Sequence, residues 1–329
     1  DQLTNQDQGR SEISFLKTVR PHPDTRIVVS TLPDEKEVNP ETGRTYMYLC
    51  ETRLKRAEAP RVDVVMSKER AVAEAMDIVV ELLRRKGRCL QEAQLAVVRD
   101  KISQEKEKTA LYISLAVDVV SKWTSDVDAE ANLKGGVLAL IDQLFSTLEL
   151  EFGKKLVQTA LAFLTFSVKG VSDSEMEDLL SLDDEVLDSV FQYHKPNVWR
   201  LPSHVWLRLK GAMEGLITEG EHGCLQWYHR QLKETAERRF ATEKLGAHVM
   251  MANYFGNAVD KQLSRMRQIS IQKWTRRGDV FDETSVVNVR RCAEATHHMI
   301  QCGVWRQAEQ ELCAFAGICC KMRVGEGFQ

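Results

Sequence analysis

The spacing of apolar and polar positions changes period once along the chain, near residue 67. Ahead of that point, residues 10–20 bring Ile13, Phe15, Leu16 and Val19 together, which predicts a short helix. Pro21-His22-Pro23 ends it, because each proline disfavours helix at the residue before it. Residues 26–33, RIVVSTLP, are a short β-branched run bounded by breakers, the pattern of a buried parallel strand. A polar loop with a Pro-Glu-Thr-Gly turn occupies 34–44, and 61–66 (RVDVVM) alternates as a second strand. Strand, polar crossover and strand predict the edge of an α/β sheet.

From Ser67 onward the period is helical. Ser67 stands as an N-cap before a stripe of Val72, Met76, Val79, Val80 and Leu83, and Gly87 ends that helix. Residues 90–102, 111–123, 137–152 and 156–168 repeat the pattern. Ser172 with Glu175 three residues on is a capping box, and Asp183-Asp184-Glu185 opens a further helix where the dipole favours acids. Ser203 caps a helix with Val205, Trp206, Leu209 and Met213. Residues 215–228 then read as strand, Gly-containing turn and strand, followed directly by a helix over 229–240. Three helices, a hairpin and a closing helix is the order of a winged helix. The remainder, 241–323, is helical with a polar interruption at 276–279, and no internal repeat is evident.

Composition narrows the class. Of 329 residues 43% are hydrophobic and 28% charged, which excludes disorder and leaves ample chain for a core. Gly 18 and Pro 7 together make about 8% against a usual share of roughly 12%, which favours helix. Lys+Arg 45 against Asp+Glu 48 gives a net charge of −3, against a dedicated nucleic-acid or acidic-membrane binder. Eight cysteines without regular spacing suit reduced thiols and a cytoplasmic location. The polar opening, DQLTNQDQGR, is no signal peptide, and no apolar run reaches the ~20 residues of a membrane span. The lack of an initiating Met suggests a piece of a longer chain.

Catalytic patterns are absent. Neither G-x-x-x-x-G-K-[ST], G-x-G-x-x-G, H-E-x-x-H nor G-x-S-x-G occurs, and no catalytic residue is assigned. His297, His298, Cys302, Cys313, Cys319 and Cys320 cluster late in the chain but lack the paired spacing of a zinc site, so buried helix-packing cysteines are the reading and no metal is assigned. Lys273-Trp274-Thr275-Arg276-Arg277 mixes basic and aromatic residues, as nucleic-acid patches do; a solvated loop with one anchoring Trp is the plainer account. His229 sits where the second hairpin strand passes into a helix. There it either donates to a phosphate held by a neighbouring domain or is satisfied by local backbone.

Two passages bear on that choice. Residues 172–187, SDSEMEDLLSLDDEVL, and Arg200-Leu201-Pro202, Val205-Trp206-Leu207-Arg208-Leu209 and Leu225-Gln226-Trp227-Tyr228-His229-Arg230-Gln231 resemble NACHT-type signal-transduction P-loop ATPases. The resemblance is to the branch that carries WD repeats, which includes telomerase-associated and nephrocystin-like chains. It implies a mainly α chain: the C-terminal part of a NACHT ATPase core at 1–66, at the edge of its α/β sheet, then a helical subdomain at 67–155, a winged helix at 156–240 and a helical, repeat-like segment at 241–329. Asp1-Gln2-Leu3 resembles the tail of the Walker B segment and Ser30 the polar residue closing the sensor strand. His229 matches the histidine that reaches the β-phosphate of ADP; Arg230 and Gln231 fall elsewhere on the helix. Thr31-Leu32 stand where many relatives have an arginine before proline, and Ala110 where the helical subdomain often has a proline against adenine, so those contacts do not carry over.

The resemblance thus implies a nucleotide-dependent switch or scaffold segment whose winged helix closes over ADP or ATP with Mg2+ held by an upstream P-loop. The segment alone is no enzyme, whereas a parent chain would be a weak ATPase. Expected partners are the upstream P-loop domain and downstream repeats of the same parent, other proteins, and further copies through self-assembly. Membranes and nucleic acid are not expected; the wing, Gly220-Glu221-His222-Gly223, carries an acid and no Lys or Arg. The alternatives are a helical interaction scaffold with a degenerate ATPase, or a winged-helix nucleic-acid binder.

Overall fold

The computed structural model describes residues 71–104, 109–126, 133–193, 196–282 and 284–325, with short pieces at 22, 24–28, 36–38, 45–47, 54–55, 60 and 62. The chain divides into two compact units, Asp1–Ser67 and Lys68–Gln329.

In the first unit, β1 (Lys36–Val38) pairs antiparallel with β2 (Thr45–Met47), in the register Lys36↔Met47 and Val38↔Thr45. This corrects the expected polar loop at 34–44: the chain on either side of the Pro-Glu-Thr-Gly segment returns on itself as a ribbon. The expected buried strand at 26–33 is likewise not formed over its described part. Residues 25–28 are non-strand, with Ile27 49% and Val28 95% exposed. The helix expected at 10–20 lies outside the described residues, as does the strand expected at 61–66 apart from Val62, which is non-strand and 87% exposed.

The second unit is helical. It begins with α1 (Ala71–Arg85), α2 (Glu92–Gln104), α3 (Ala110–Val120) and α4 (Val137–Phe152). Helix α1 buries Ala71, Ala75, Met76, Val79 and Leu83, a stripe at helical spacing that packs on α3. Val80, expected on that stripe, is half exposed. Helix α5 (Lys154–Phe166) follows Gly153 and is buried from Leu156 through Phe166 except at Gln158. A helix apolar on every side must sit at the centre. It is flanked by α4 and by the helices introduced next.

The winged helix is built around α5. Strand β3 (Val171–Ser172) leads into α6 (Asp173–Leu180), then α7 (Asp184–Val190) and α8 (Ser203–Ala212); β4 (Ile217–Glu219) and β5 (Cys224–Trp227) form the hairpin, and α9 (Arg230–Arg239) closes the unit. The sheet order is β3-β5-β4, antiparallel throughout, with Val171↔Leu225 and Ile217↔Trp227. Strand β3 was hidden in the sequence because its two residues read as the run-in to a helix cap. The capping box is present: Ser172 Oγ accepts from Glu175 N, and Glu175 Oε2 accepts from Ser172 N at 2.9 Å. Pro202 rather than Ser203 occupies the N-cap of α8, with Ser203 as its first helical residue. Trp206 is fully buried, and its indole N–H donates to Asp173 Oδ1 at 2.8 Å. Phe145, Trp227 and Phe240 pack ring to ring at 5.5 and 5.6 Å centroid distances, joining α4, β5 and the end of α9.

Beyond it, α10 (Lys244–Phe255), α11 (Lys261–Arg267), a ribbon of β6 (Thr275–Arg277) with β7 (Val286–Val287), and α12 (Val289–Gln301), α13 (Trp305–Cys313) and α14 (Phe315–Arg323) complete the fold. The ribbon occupies the stretch expected as a polar interruption. Helix α10 packs on both α5 and α12, so the winged helix and the following helices share one core. Among the described residues no helix is long and apolar enough to cross a membrane.

Candidate functional site

His229 lies two residues past the end of β5 and caps α9. Its backbone is extended (φ −132°, ψ 143°), and its Nδ1 accepts the N–H of Gln231 at 3.2 Å. That bond leaves a first-turn N–H of the helix satisfied by a side chain, the usual work of an N-cap residue. It also fixes the tautomer: with Nδ1 accepting, the proton of the neutral ring sits on Nε2, which makes no hydrogen bond among the described residues. The half-buried imidazole lines a cleft of about 130 Å3 with Ser167, Gly170, Gln226, Arg230 and Lys233. Arg230, expected elsewhere on the helix, therefore shares the cleft with His229, and its Nε pairs with Glu234 at 2.8 Å. Lys233 makes no ion pair among the described residues. The two open expectations for His229 are compatible, because one ring nitrogen serves the backbone and the other stays available. Ser30 and Asp1 lie outside the described residues.

Directly behind the cleft lies a buried ionic junction that periodicity did not reveal. Arg290, 3% exposed, donates from Nε to Glu175 Oε1 at 2.9 Å, from Nη1 to Glu294 Oε1 at 2.9 Å and from Nη2 to the carbonyl of Gly170 at 2.6 Å. Glu294, fully buried, also accepts the N–H groups of Val168 and Lys169 at 2.9 Å each. The turn between α5 and β3, the cap of α6 and the helix α12 thus meet in one network. Gly170 holds that turn at φ +81°, and a Cβ there would come within 2.2 Å of the Leu225 carbonyl oxygen. From the sequence Glu175 is legible only as a capping-box residue; in the structure it serves both roles. Arg290 and Glu294 do not stand out in the sequence at all; an i,i+4 pair of opposite charge usually marks a solvated helix face.

A second tie runs through Asp178, 1% exposed, which accepts from Arg200 Nη1 at 2.6 Å, Tyr254 Oη at 3.0 Å and Ser270 N at 3.0 Å. Burial, together with the Asp178 charge, pushes the Tyr254 phenol far above its ordinary range, so it stays a neutral donor.

Three imidazoles join the first network. His298 Nε2 lies 3.0 Å from Glu294 Oε2, and His298 Nδ1 lies 2.8 Å from His248 Nδ1. His297 completes the group, its ring centroid 5.1 Å from that of His298 and 5.8 Å from that of His248. Burial would raise the Glu294 carboxyl, but the bond from His298 and the Arg290 charge outweigh it and hold the group down to about 2. Burial, with the neighbouring His298, His297 and Lys244, lowers His248 to about 4, and burial lowers His297 as well.

The other segments singled out in the sequence have structural roles. Asp183 caps α7, accepting from Glu185 N at 2.9 Å and Val186 N at 3.3 Å, and Lys155 bridges Asp183 and Glu185. Trp274 lies under the Arg291 guanidinium at 4.2 Å and against Gly317, while Arg276 and Arg277 are exposed. Cys302 and Cys320 donate to the Met299 and Trp274 carbonyls, and Cys313 is exposed.

Residues 127–247 match the family described as NWD1-like, winged helix-turn-helix domain. The chain is 28% identical over 218 residues to NACHT and WD repeat domain-containing protein 2 of Mus musculus, a match that covers 60% of this chain and 12% of that protein. It is 26% identical over 215 residues to NACHT domain- and WD repeat-containing protein 1 of Mus musculus, covering 61% of this chain and 14% of that one. The Homo sapiens NACHT and WD repeat domain-containing protein 2 is 28% identical over 218 residues, with the same 60% and 12% coverage. The chain thus spans only a small part of the length of these relatives. No solved structure matches it significantly. Together with the three-stranded sheet and the helices around it, these matches show an NWD1-like winged-helix domain over 127–247 in a chain similar to NACHT and WD-repeat proteins.

Proposed function

We propose that this chain is the regulatory lid of a nucleotide-switched ATPase, its winged helix closing over ADP or ATP with Mg2+ bound by a P-loop outside these 329 residues. The observation that carries the reading is the state of His229. Its Nδ1 is committed to the α9 backbone, so its Nε2 is a donor, and it lines a cleft with Arg230 and Lys233. A neutral donor with two cations beside it suits a phosphate. Closure over a nucleotide links lid position to nucleotide state, and a ligand with different affinity for open and closed forms shifts the population between them.

The network at Arg290 supports the regulatory half of the proposal. It ties the cleft-forming turn to α12, so a displacement of the winged helix carries the following helices with it. The nucleic-acid alternative is less well supported. On α8, Lys210 pairs with Asp173 at 2.7 Å and Arg208 lies over the Phe152 ring at 5.7 Å, so two cations of that helix are already engaged. The interaction-scaffold alternative differs from the lid only in nucleotide binding, which the experiment below decides.

The test joins this chain to an ATPase core that carries a phosphate loop and measures ADP affinity by calorimetry for His229→Ala beside Gln231→Ala. Hydrogen bonds to charged groups contribute about 1.5–3 kcal/mol, so losing Nε2 lowers ADP affinity by roughly one to two decades, while Gln231→Ala has little effect. Small, equal effects from both would overturn the lid reading.

A further inference from the structure

We propose that His248, His297 and His298 form a binding site for one divalent transition-metal ion of the zinc class, with Glu294 anchoring His298 from behind. The ligand atoms of the three imidazoles all lie within 4.8 Å of one another. Two nitrogens bound tetrahedrally to one zinc, at about 2.0–2.1 Å each, stand about 3.3 Å apart. The closest pair here, His248 Nδ1 and His298 Nδ1, is at 2.8 Å, so small ring movements suffice to place an ion among the three.

Two further features point to a ligand rather than to packing. First, His298 Nε2 faces Glu294 Oε2 at 3.0 Å, and Glu294 is itself fixed by two backbone N–H groups and Arg290. A ligating histidine whose other nitrogen is held by a carboxylate is the common outer-shell arrangement of metal sites. The bond to Glu294 puts the His298 proton on Nε2 and leaves the Nδ1 lone pair directed at the group. Second, a bare hydrogen-bond chain of Glu294, His298 and His248 satisfies those residues without His297. Yet His297 stands in the same cluster with no hydrogen bond among the described residues. An ion gives the third imidazole a partner.

The chemistry selects the metal. Three neutral nitrogens with no carboxylate or thiolate in direct contact suit zinc, copper or nickel and not magnesium or calcium. Without metal, His248 Nδ1–H donates to His298 Nδ1. On binding, that proton passes to His248 Nε2, both Nδ1 lone pairs bind the ion, and its oxidation state is unchanged. His297, half-buried, leaves room for water as a fourth ligand. The ion would pin α10, which carries His248, to α12, which carries the other two.

The test strips the full chain with a chelator and titrates it with Zn2+ against a chromophoric competitor, then repeats the titration with Co2+ to read the ligand set from its spectrum. The expected result is one equivalent of Zn2+, weakened in His297→Ala by at least the roughly 10–100-fold that losing even an outer partner costs. Cys302→Ser and Cys319→Ser leave it unchanged, and Co2+ shows ligand-field bands without a sulfur charge-transfer band. No stoichiometric binding, unchanged affinity in His297→Ala, or a thiolate band would each overturn the proposal. His248→Gln is a second variant with the same expected loss. If it does not fold, His297→Ala at its half-exposed position decides alone.

Discussion

Replacing Arg290 by Met tests whether the ionic junction holds the winged helix to α12. Methionine keeps most of the volume, so the cavity cost is small and the change is chiefly electrostatic. The structure shows what is lost: the bonds to Glu175, the bond to Glu294 and the bond to the Gly170 carbonyl. Both carboxylates stay behind, with side chains 6% and 0% exposed. Glu294 keeps two backbone N–H groups and His298, but Glu175 keeps only the Ser172 N–H. Breaking one partner out of a buried pair typically costs about 3–5 kcal/mol, because an uncompensated charge remains. In a domain of this size each kcal/mol moves Tm by about 2–4 °C, so Arg290→Met should melt roughly 6–20 °C lower.

A second substitution separates charge from packing. Adding Glu175→Gln removes the stranded charge, so the double variant should be more stable than Arg290→Met alone, with a coupling of about 0.5–3 kcal/mol. Urea denaturation followed by circular dichroism on the full chain reads both values. A loss below about 1 kcal/mol for Arg290→Met, or strictly additive effects of the two changes, would refute the claim that the junction acts as a coupled charged unit.

Other consequences are shorter to state. Leu161→Ala, at a fully buried position of α5, should lose about 2–5 kcal/mol by chemical denaturation; an unchanged midpoint would show that α5 is not the centre of the core. Gly170→Ala forces a Cβ to within 2.2 Å of Leu225 O at φ +81°, so it should destabilise the fold by more than about 1 kcal/mol; an alanine variant as stable as the parent would show that the turn is free to rearrange. Tyr254→Phe leaves Asp178 and Gln272 each one bond short and should cost about 1–3 kcal/mol by the same denaturation assay; no measurable loss would mean that the Asp178 tie contributes nothing. The 329-residue chain alone should not turn over ATP, since it has no phosphate loop; saturable hydrolysis by purified protein would contradict this.

The parts of the fold legible in the sequence were those where one local signal decides. The apolar stripes of α1 and α4, the Ser172 capping box and the Gly-punctuated hairpin each depend on residues within a few positions of one another. The first unit was misread for the opposite reason. The run at 26–33 is β-branched enough for a buried strand, but burial is a tertiary property, and Val28 lies almost fully exposed. The junction was illegible because its members, Glu175, Arg290 and Glu294, are charged residues that periodicity assigns to solvent. They are buried only because 115 residues of chain bring α12 back over the cap of α6. His248 escaped for the same reason, lying 50 residues from His298. His229 was legible as a junction residue, although its tautomer needed the Gln231 contact to be seen.

These magnitudes also constrain how a lid built this way would work. One hydrogen bond from His229 to a phosphate, at about 1.5–3 kcal/mol, shifts an open–closed equilibrium by roughly ten- to a hundredfold. Driving such an equilibrium from one extreme to the other takes about 5.5 kcal/mol. His229 alone therefore falls short, and Lys233 and Arg230 in the same cleft must supply the difference, with Arg230 first released from Glu234. Parting the winged helix from α12 would separate Arg290 from Glu175 and open the core that α5, α10 and α12 share, whereas opening the lid breaks only the phosphate contacts. Under that ordering, opening the lid releases the nucleotide before it parts the winged helix from α12. The winged helix and the helices after it then move as one piece, and whatever they present to a partner turns with them.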